Sequence, residues 1–155
     1  MQNRVLTEGL LDAWLRLSSV VSNNRLVSGL SFNEAFVLNL LYKQYMSKEE
    51  KKLTATDLCR QTNTLKSQMN AILTSLEKKQ MILRRRSMED RRQIEVEINP
   101  ESLDIFMECH ERSLKLVEGV LDRVGETEGQ QAVAMLNKLT AGFEAMVQGK
   151  ESRQK

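Results

Sequence analysis

The feature that most constrains this chain is a change of hydrophobic period near residue 80. Before it, Met69, Ile72, Leu73 and Leu76 recur at three- and four-residue steps, the mark of a helix with one buried face. After it, Met81, Ile82 and Leu83 form a short apolar run, and Ile94, Val96 and Ile98 alternate with Glu95 and Glu97. Period two belongs to a half-buried strand. The spacing therefore predicts an antiparallel pair of strands joined by the charged stretch Arg84–Arg92. A chain carrying both periods so close together is neither a plain helical bundle nor a β-sandwich.

Helical signals fill the rest. Leu6, Leu10, Leu11, Trp14, Leu15, Leu17 and Val21 predict an amphipathic helix over 5–24. Ser31-Phe32-Asn33-Glu34 is a capping-box pattern. It opens a helix to about Met46, with Phe32, Phe36, Val37, Leu40 and Leu41 on one side. Thr54, with Asp57 three residues on, opens a short helix anchored by Leu58. Gln61-Thr62-Asn63-Thr64 breaks it in a tight turn, and a further helix covers 65–79, with Lys66, Ser67, Gln68 and Asn70 on its polar end. Asn99-Pro100 ends the second strand and starts a helix over about 100–124, with Leu103, Phe106, His110, Leu114, Val117, Leu121 and Val124 as its stripe. Gly125 reads as a stop, and Thr127 to Gln130 as another capping box. The last helix, striped by Val133, Leu136, Leu139, Phe143 and Met146, runs to about Val147, and 149–155 reads as a frayed tail.

Charge adds a second, independent signal. The 155 residues carry a net charge of only +2. From Lys78 to Arg92, however, there are seven basic and two acidic residues, hence +5, and from Glu101 to Glu128 three basic and eight acidic, hence −5. Such polarity favours a polyanionic partner for the basic segment. Other classes are excluded or disfavoured. No apolar run is long enough to span a membrane, and the N-terminal segment lacks an uncharged signal core, so the expected location is the cytoplasm. Cys59 and Cys109 make neither a disulfide framework nor, with the single His, a metal cluster. No Gly-rich phosphate loop or nucleophile–base set suggests an enzyme, and no cofactor is expected.

A capped short helix, a tight turn, a helix with one polar end and a basic hairpin make a winged helix-turn-helix. The second helix fits a DNA major groove about 12 Å wide. The hairpin brings arginines to phosphates or the minor groove, and the short helix braces the arrangement and offers its N-terminal amides to a phosphate. The expected fold class is mainly α with a small β-hairpin wing, one domain over 1–148. Within it, residues 31–99 form the DNA-binding lobe, with the helix-turn-helix at about 54–79 and the wing at 81–98. Helices 5–24 and 100–148 carry more apolar positions than the lobe can cover, which predicts a homodimer.

These residues resemble the MarR family of bacterial regulators. Thr64-Leu65-Lys66-Ser67-Gln68-Met69-Asn70, followed by Leu73-Thr74-Ser75-Leu76-Glu77-Lys78-Lys79-Gln80-Met81-Ile82, is similar to the family's recognition helix and its exit. Asp90-Arg91-Arg92-Gln93-Ile94-Glu95-Val96-Glu97-Ile98 matches its Asp-x-Arg-x-x-x-Val-x-Leu wing signature. The resemblance covers nearly the whole chain. It implies a sequence-specific regulator of transcription, a repressor released by a small ligand, bound to a pseudo-palindromic operator. It implies that Lys66, Ser67, Gln68 and Asn70 face the major groove, and that Arg91 and Arg92 serve the wing, with Asp90 holding its loop. Thr64 is a further DNA-binding candidate, with helix capping the competing role for it and for Ser67. Arg84, Arg85 and Arg86 alternate across the hairpin, so Arg84 and Arg86 are assigned to phosphates. An aromatic or phenolic effector between the dimer helices and the lobe would meet Trp14, Phe32, Phe36 and Tyr42.

Three departures stand out. Gln80 occupies a position where the family has Gly, so the turn there is expected to do without a positive φ. Ala71 and Thr74 replace an Arg and an Asp, leaving Arg86 or Arg92 as the substitute partner of Asp90. Two competing readings remain: a winged-helix module that binds protein instead of DNA, and a redox-responsive regulator using Cys59 or Cys109.

Overall fold

A computed structural model describes residues 2–23, 29–48 and 50–151, with side chains described except at 2, 22–23 and 147–151. The elements run α1 (Gln2–Asn23), α2 (Phe32–Ser47), β1 (Leu53–Thr54), α3 (Ala55–Thr62), α4 (Lys66–Lys78), β2 (Ile82–Arg86), β3 (Ile94–Ile98), a 3-10 turn (Pro100–Ser102), α5 (Leu103–Val124) and α6 (Glu126–Glu151). The chain divides into two compact units, one through Ser113 and one from Leu114.

In the first unit, caps set the helix starts. Ser31 Oγ accepts the Glu34 amide while the Glu34 carboxylate takes the Ser31 amide at 2.7 Å. Thr54 and Asp57 make the same reciprocal pair. Each box satisfies two amides that a helix start would leave bare. Lys48 and Asn63 end α2 and α3 in the left-handed conformation. Between the capped ends, Leu30, Val37, Leu38, Leu41, Leu58, Met69, Leu73, Leu76, Met81, Ile82, Val96, Ile98 and Phe106 form one buried cluster. Burying each such side chain stabilises the lobe by roughly 1.5–3 kcal/mol before entropy is counted.

The hairpin has become a three-stranded antiparallel sheet, ordered β1-β3-β2. Leu53 pairs with Val96 and Thr54 with Glu95. Such a two-residue strand is too short to show alternation, which is why no pattern announced it. On the other side of β3, β2 pairs from Ile82↔Ile98 to Arg86↔Ile94. Arg84, Arg85 and Arg86 thus belong to the strand, and the loop is confined to 87–93. The long basic loop expected over 84–92 is corrected accordingly.

Other expectations change as well. Phe32 and Phe36 lie on the exposed side of α2, 59% and 37% accessible, while Glu34, Val37, Leu38 and Leu41 are its buried positions. Tyr42 sits against the core, its ring 4.8 Å from that of Phe106, and Phe106 stacks on His110. Gln80 does adopt a positive φ, +58°. The strain is held by its neighbours: its amide donates to the Glu77 carbonyl, and its own carbonyl accepts the Asn99 side chain. Asn99 also caps the 3-10 turn, with Pro100 at its first position.

In the second unit, Gly125 ends α5 at φ +102°, where a Cβ would meet the Glu128 carboxylate. The Thr127 capping box is not formed. The last helix already begins at Glu126, whose carboxylate accepts the Gln130 amide group. That helix also continues through 149–151, residues assigned to the tail, while 152–155 and the first helix's expected end at residue 24 lie outside the described residues. Among the described residues no helix is long and apolar enough to cross a membrane.

Candidate nucleic-acid interface

The first turn of α4 presents the residues singled out for recognition. Its N-cap, Leu65, supplies no side-chain hydrogen bond. Lys66, Ser67, Gln68 and Asn70 are all exposed, while Met69, Leu73 and Leu76 anchor the opposite face in the core. Thr64 differs: it is half-buried, its hydroxyl accepting from Thr62 Oγ1 and donating to the Thr62 carbonyl. Its polar capacity goes into closing the turn. At the N-terminus of α3 the Thr54–Asp57 box takes up the amides of those two residues and places a carboxylate there. That carboxyl is held below its usual value chiefly by the Thr54 hydroxyl and amide.

The wing sorts its arginines by face. On β2, alternation sends Arg84 and Arg86 to the side shared with Ile82, and Arg85 to the other. Arg85 Nε lies 3.7 Å from a Glu97 carboxylate that also meets Lys52 at 2.9 Å. Arg84 reaches α4, donating from Nε to Glu77 Oε2 at 2.9 Å and from Nη1 to Asn70 Oδ1 at 3.4 Å. Its hydrogen bond holds the Glu77 carboxyl below the ordinary range. Arg86, Arg91, Arg92 and Lys66 are exposed and, among the described residues, take part in no ion pair.

The loop tip is ordered from within. Buried Ser87 accepts the Glu89 and Asp90 amides, and its own amide donates to the Gln93 carbonyl. Asp90 accepts the Arg92 amide at 3.0 Å through Oδ1 and the Gln93 side chain at 3.2 Å through Oδ2. It therefore engages the Arg92 backbone, not the guanidinium of Arg86 or Arg92. Ser87 and Gln93 were missed by the sequence reading; a serine placed just before the acidic tip was the available sign.

Helix and wing meet at one groove. A cavity of about 200 Å³ is lined by Ala55, Thr56 and Cys59 of α3, by Lys66, Met69, Asn70 and Leu73 of α4, and by Arg84 and Ile94 of the sheet. The polar end of α4 and the arginine-bearing face of β2 thus border the same opening. Trp14, Phe32 and Phe36 are exposed, Phe32 and Phe36 with ring centres 6.5 Å apart, and none lines this groove. Cys59 and Cys109 are half-buried and, among the described residues, form no disulfide.

The fold recurs in solved structures. CouR bound to a 23-mer DNA duplex superimposes with a TM-score of 0.76 at 19% identity, over 87% of this chain and 94% of that one. The S. aureus MepR–DNA complex gives 0.68 at 15% identity, over 89% and 97%. The PcaV regulator from Streptomyces coelicolor, in complex with its natural ligand, gives 0.68 at 14% identity, over 85% and 89%. The MarR-type winged helix that the sequence resembled is the fold adopted. No curated protein sequence matches significantly. The model of the transcriptional regulator SarA/Rot family, by contrast, matches residues 20–109, well over half of the chain and all of its winged lobe. With that match added to the capped helix-turn-helix and its three-stranded wing, the chain belongs to the SarA/Rot family of transcriptional regulators.

Proposed function

We propose that this regulator acts in the cytoplasm, without catalysis, as a homodimer that binds double-stranded DNA sequence-specifically. The carrying observation is the shared groove: Lys66 and Asn70 of α4 and Arg84 of β2 border one opening, and the exposed Arg86, Arg91 and Arg92 follow Arg84 on the same strand and its loop. Lys66, Ser67, Gln68 and Asn70 enter the major groove, where short donors and acceptors meet base edges. Arg86, Arg91 and Arg92 take phosphates or the adjacent minor groove. Arg84, already committed to Glu77 and Asn70, orients the helix against the wing instead of serving as a phosphate ligand. Thr64 shapes the turn.

Pairing would draw on α1, the later turns of α5, and α6. Leu6, Leu11 and Leu15, Val117 and Val124, and Val133 and Leu136 each keep half or more of their surface accessible in the single chain. A two-fold pair sets two recognition helices one DNA turn apart, over a pseudo-palindrome. Repression released by a small aromatic or phenolic ligand completes the reading, supported by the structural kinship with PcaV, solved with its natural ligand. Exposed Trp14, Phe32 and Phe36 are the candidate contacts; Tyr42 is already engaged by Phe106.

Salt titration of DNA affinity tests this reading. With about 6–8 phosphates neutralised per dimer, log K should fall against log[salt] with a slope of about −5 to −7. Arg92→Ala should weaken all duplexes alike and flatten the slope by about one unit per lost contact, while Gln68→Ala should alter sequence preference. Absence of duplex binding at low salt would overturn it in favour of a protein-binding module.

A further inference from the structure

One side chain joins the wing strand to the recognition helix, and its geometry fixes the polarity of another. Asn70 and Glu77 lie seven positions apart on α4, two turns along one stripe. Arg84 spans them from β2. Its Nε and Nη2 both donate to Glu77 Oε2, and its Nη1 donates to Asn70 Oδ1. Glu77 stays ionised near neutral pH, since the Arg84 hydrogen bond holds its carboxyl low. The anion thus anchors one edge of the guanidinium and leaves the other facing Asn70.

A guanidinium has donors and no acceptor, so it meets the oxygen end of an amide; the flipped amide would set N–H against N–H. Asn70 Oδ1 is therefore turned toward the wing, and Nδ2 is the end left for the groove. This matters for base reading. Asparagine recognises adenine by using both ends together, accepting from N6 and donating to N7. Oδ1 keeps a second lone pair, but Arg84 holds that oxygen on the wing side, so the donor Nδ2 is the end offered to the base. The major-groove edge that offers acceptors alone at a purine is that of guanine, N7 and O6.

Building on the DNA-binding reading above, we propose that Asn70 is a specificity-determining residue that selects guanine over adenine, and that Arg84, held by Glu77, is the positioning residue that imposes this choice. The three side chains form a relay from wing to base, so the wing influences sequence preference without touching a base.

Selection of bound duplexes from a random pool tests the proposal, using the full chain and its Asn70→Ala, Arg84→Met and Glu77→Gln variants. The wild-type pool should favour guanine over adenine by about tenfold at one position per half-site. Asn70→Ala should abolish that preference alone. Arg84→Met should bring the guanine-to-adenine ratio to about one or below, and Glu77→Gln should move it the same way by a smaller factor. Glu77→Gln removes no cation and leaves the buried cluster intact, so it decides the matter if Arg84→Met fails to fold. Substituting 7-deazaguanine should weaken the wild type and leave Asn70→Ala unchanged. Adenine at the position relaxed by Asn70→Ala, or an identical preference in the wild type and Glu77→Gln, would overturn the assignment while DNA binding stands. A wild-type pool without any enrichment would overturn both.

Discussion

Leu58 and Leu136 are both leucines on amphipathic helices, yet the first has no exposed surface and the second keeps 53% of its own. The difference divides the molecule. In the winged lobe the apolar stripes of α2, α3 and α4 close on one another and on the sheet. The starts of α2 and α3 are boxed, and no buried side-chain polar atom among the described residues lacks a partner. Along α1, the later turns of α5, and α6, the stripes are as regular but remain accessible. A regular apolar stripe thus shows that a face is meant to be covered, not by what. In the lobe the covering comes from the same chain; on the terminal helices the proposed dimer supplies it.

The sharpest way to break this contrast is to place charge on each side of it. Leu136→Glu, on the accessible stripe of α6, should convert the protein to a monomer by light scattering at micromolar concentration. Loss of the second half-site should then lower operator affinity by about 100-fold or more, with the lobe's cooperative melting retained. A fully dimeric Leu136→Glu would end the assignment of α6 to the interface.

A smaller effect sharpens the lobe's side. Lys79, at the end of α4, donates to both Glu34 oxygens at 2.9 Å and to the Gly29 carbonyl at 2.8 Å. Burial by itself pushes the Glu34 carboxyl up, but the Ser75 side chain, Lys79 and the Ser31 amide together outweigh it and hold it below the ordinary range of a glutamate. A carboxyl lowered in the folded state contributes stability above its unfolded pKa and loses it as pH falls through the folded value. Glu34→Gln should therefore cost about 1–3 kcal/mol at pH 7. Denaturant titrations should find that cost shrinking below about pH 4.5, with the oligomeric state unchanged. A cost independent of pH would mean that the charge contributes nothing.

The smallest effect concerns backbone strain. Gln80 at φ +58° occupies a region that disfavours side chains by roughly 1–2 kcal/mol, offset in part by glycine's larger unfolded-state entropy. Gln80→Gly should raise lobe stability by about 0.5–1 kcal/mol, visible as a higher melting temperature with DNA affinity retained. An unchanged or lower melting temperature would show that the Asn99 and Glu77 contacts already absorb the strain.

Legibility in the sequence followed the range of the interaction. Capping boxes at Ser31–Glu34 and Thr54–Asp57 are three-residue relations, and the stripe of α4 spans two turns, so both could be read directly. The same local reasoning failed at Thr127, where Gly125 had already set the helix to begin at Glu126. It also failed at Phe32 and Phe36, because the face of α2 that is buried was chosen by the sheet and α4. The pairings Lys79–Glu34 and Arg84–Asn70 join residues 45 and 14 positions apart. No periodicity reports on them.

The sequence by itself determined where α2 and α3 start, where the period changes, and which segment concentrates positive charge, since each depends on neighbours within a few residues. Only the tertiary structure decided which arginines stay available. Alternation along β2 and its register against β3 commit Arg85 to Glu97 and Arg84 to Glu77 and Asn70, and leave Arg86 exposed. Charge is a property of a residue, but its availability depends on what the fold brings within hydrogen-bonding distance.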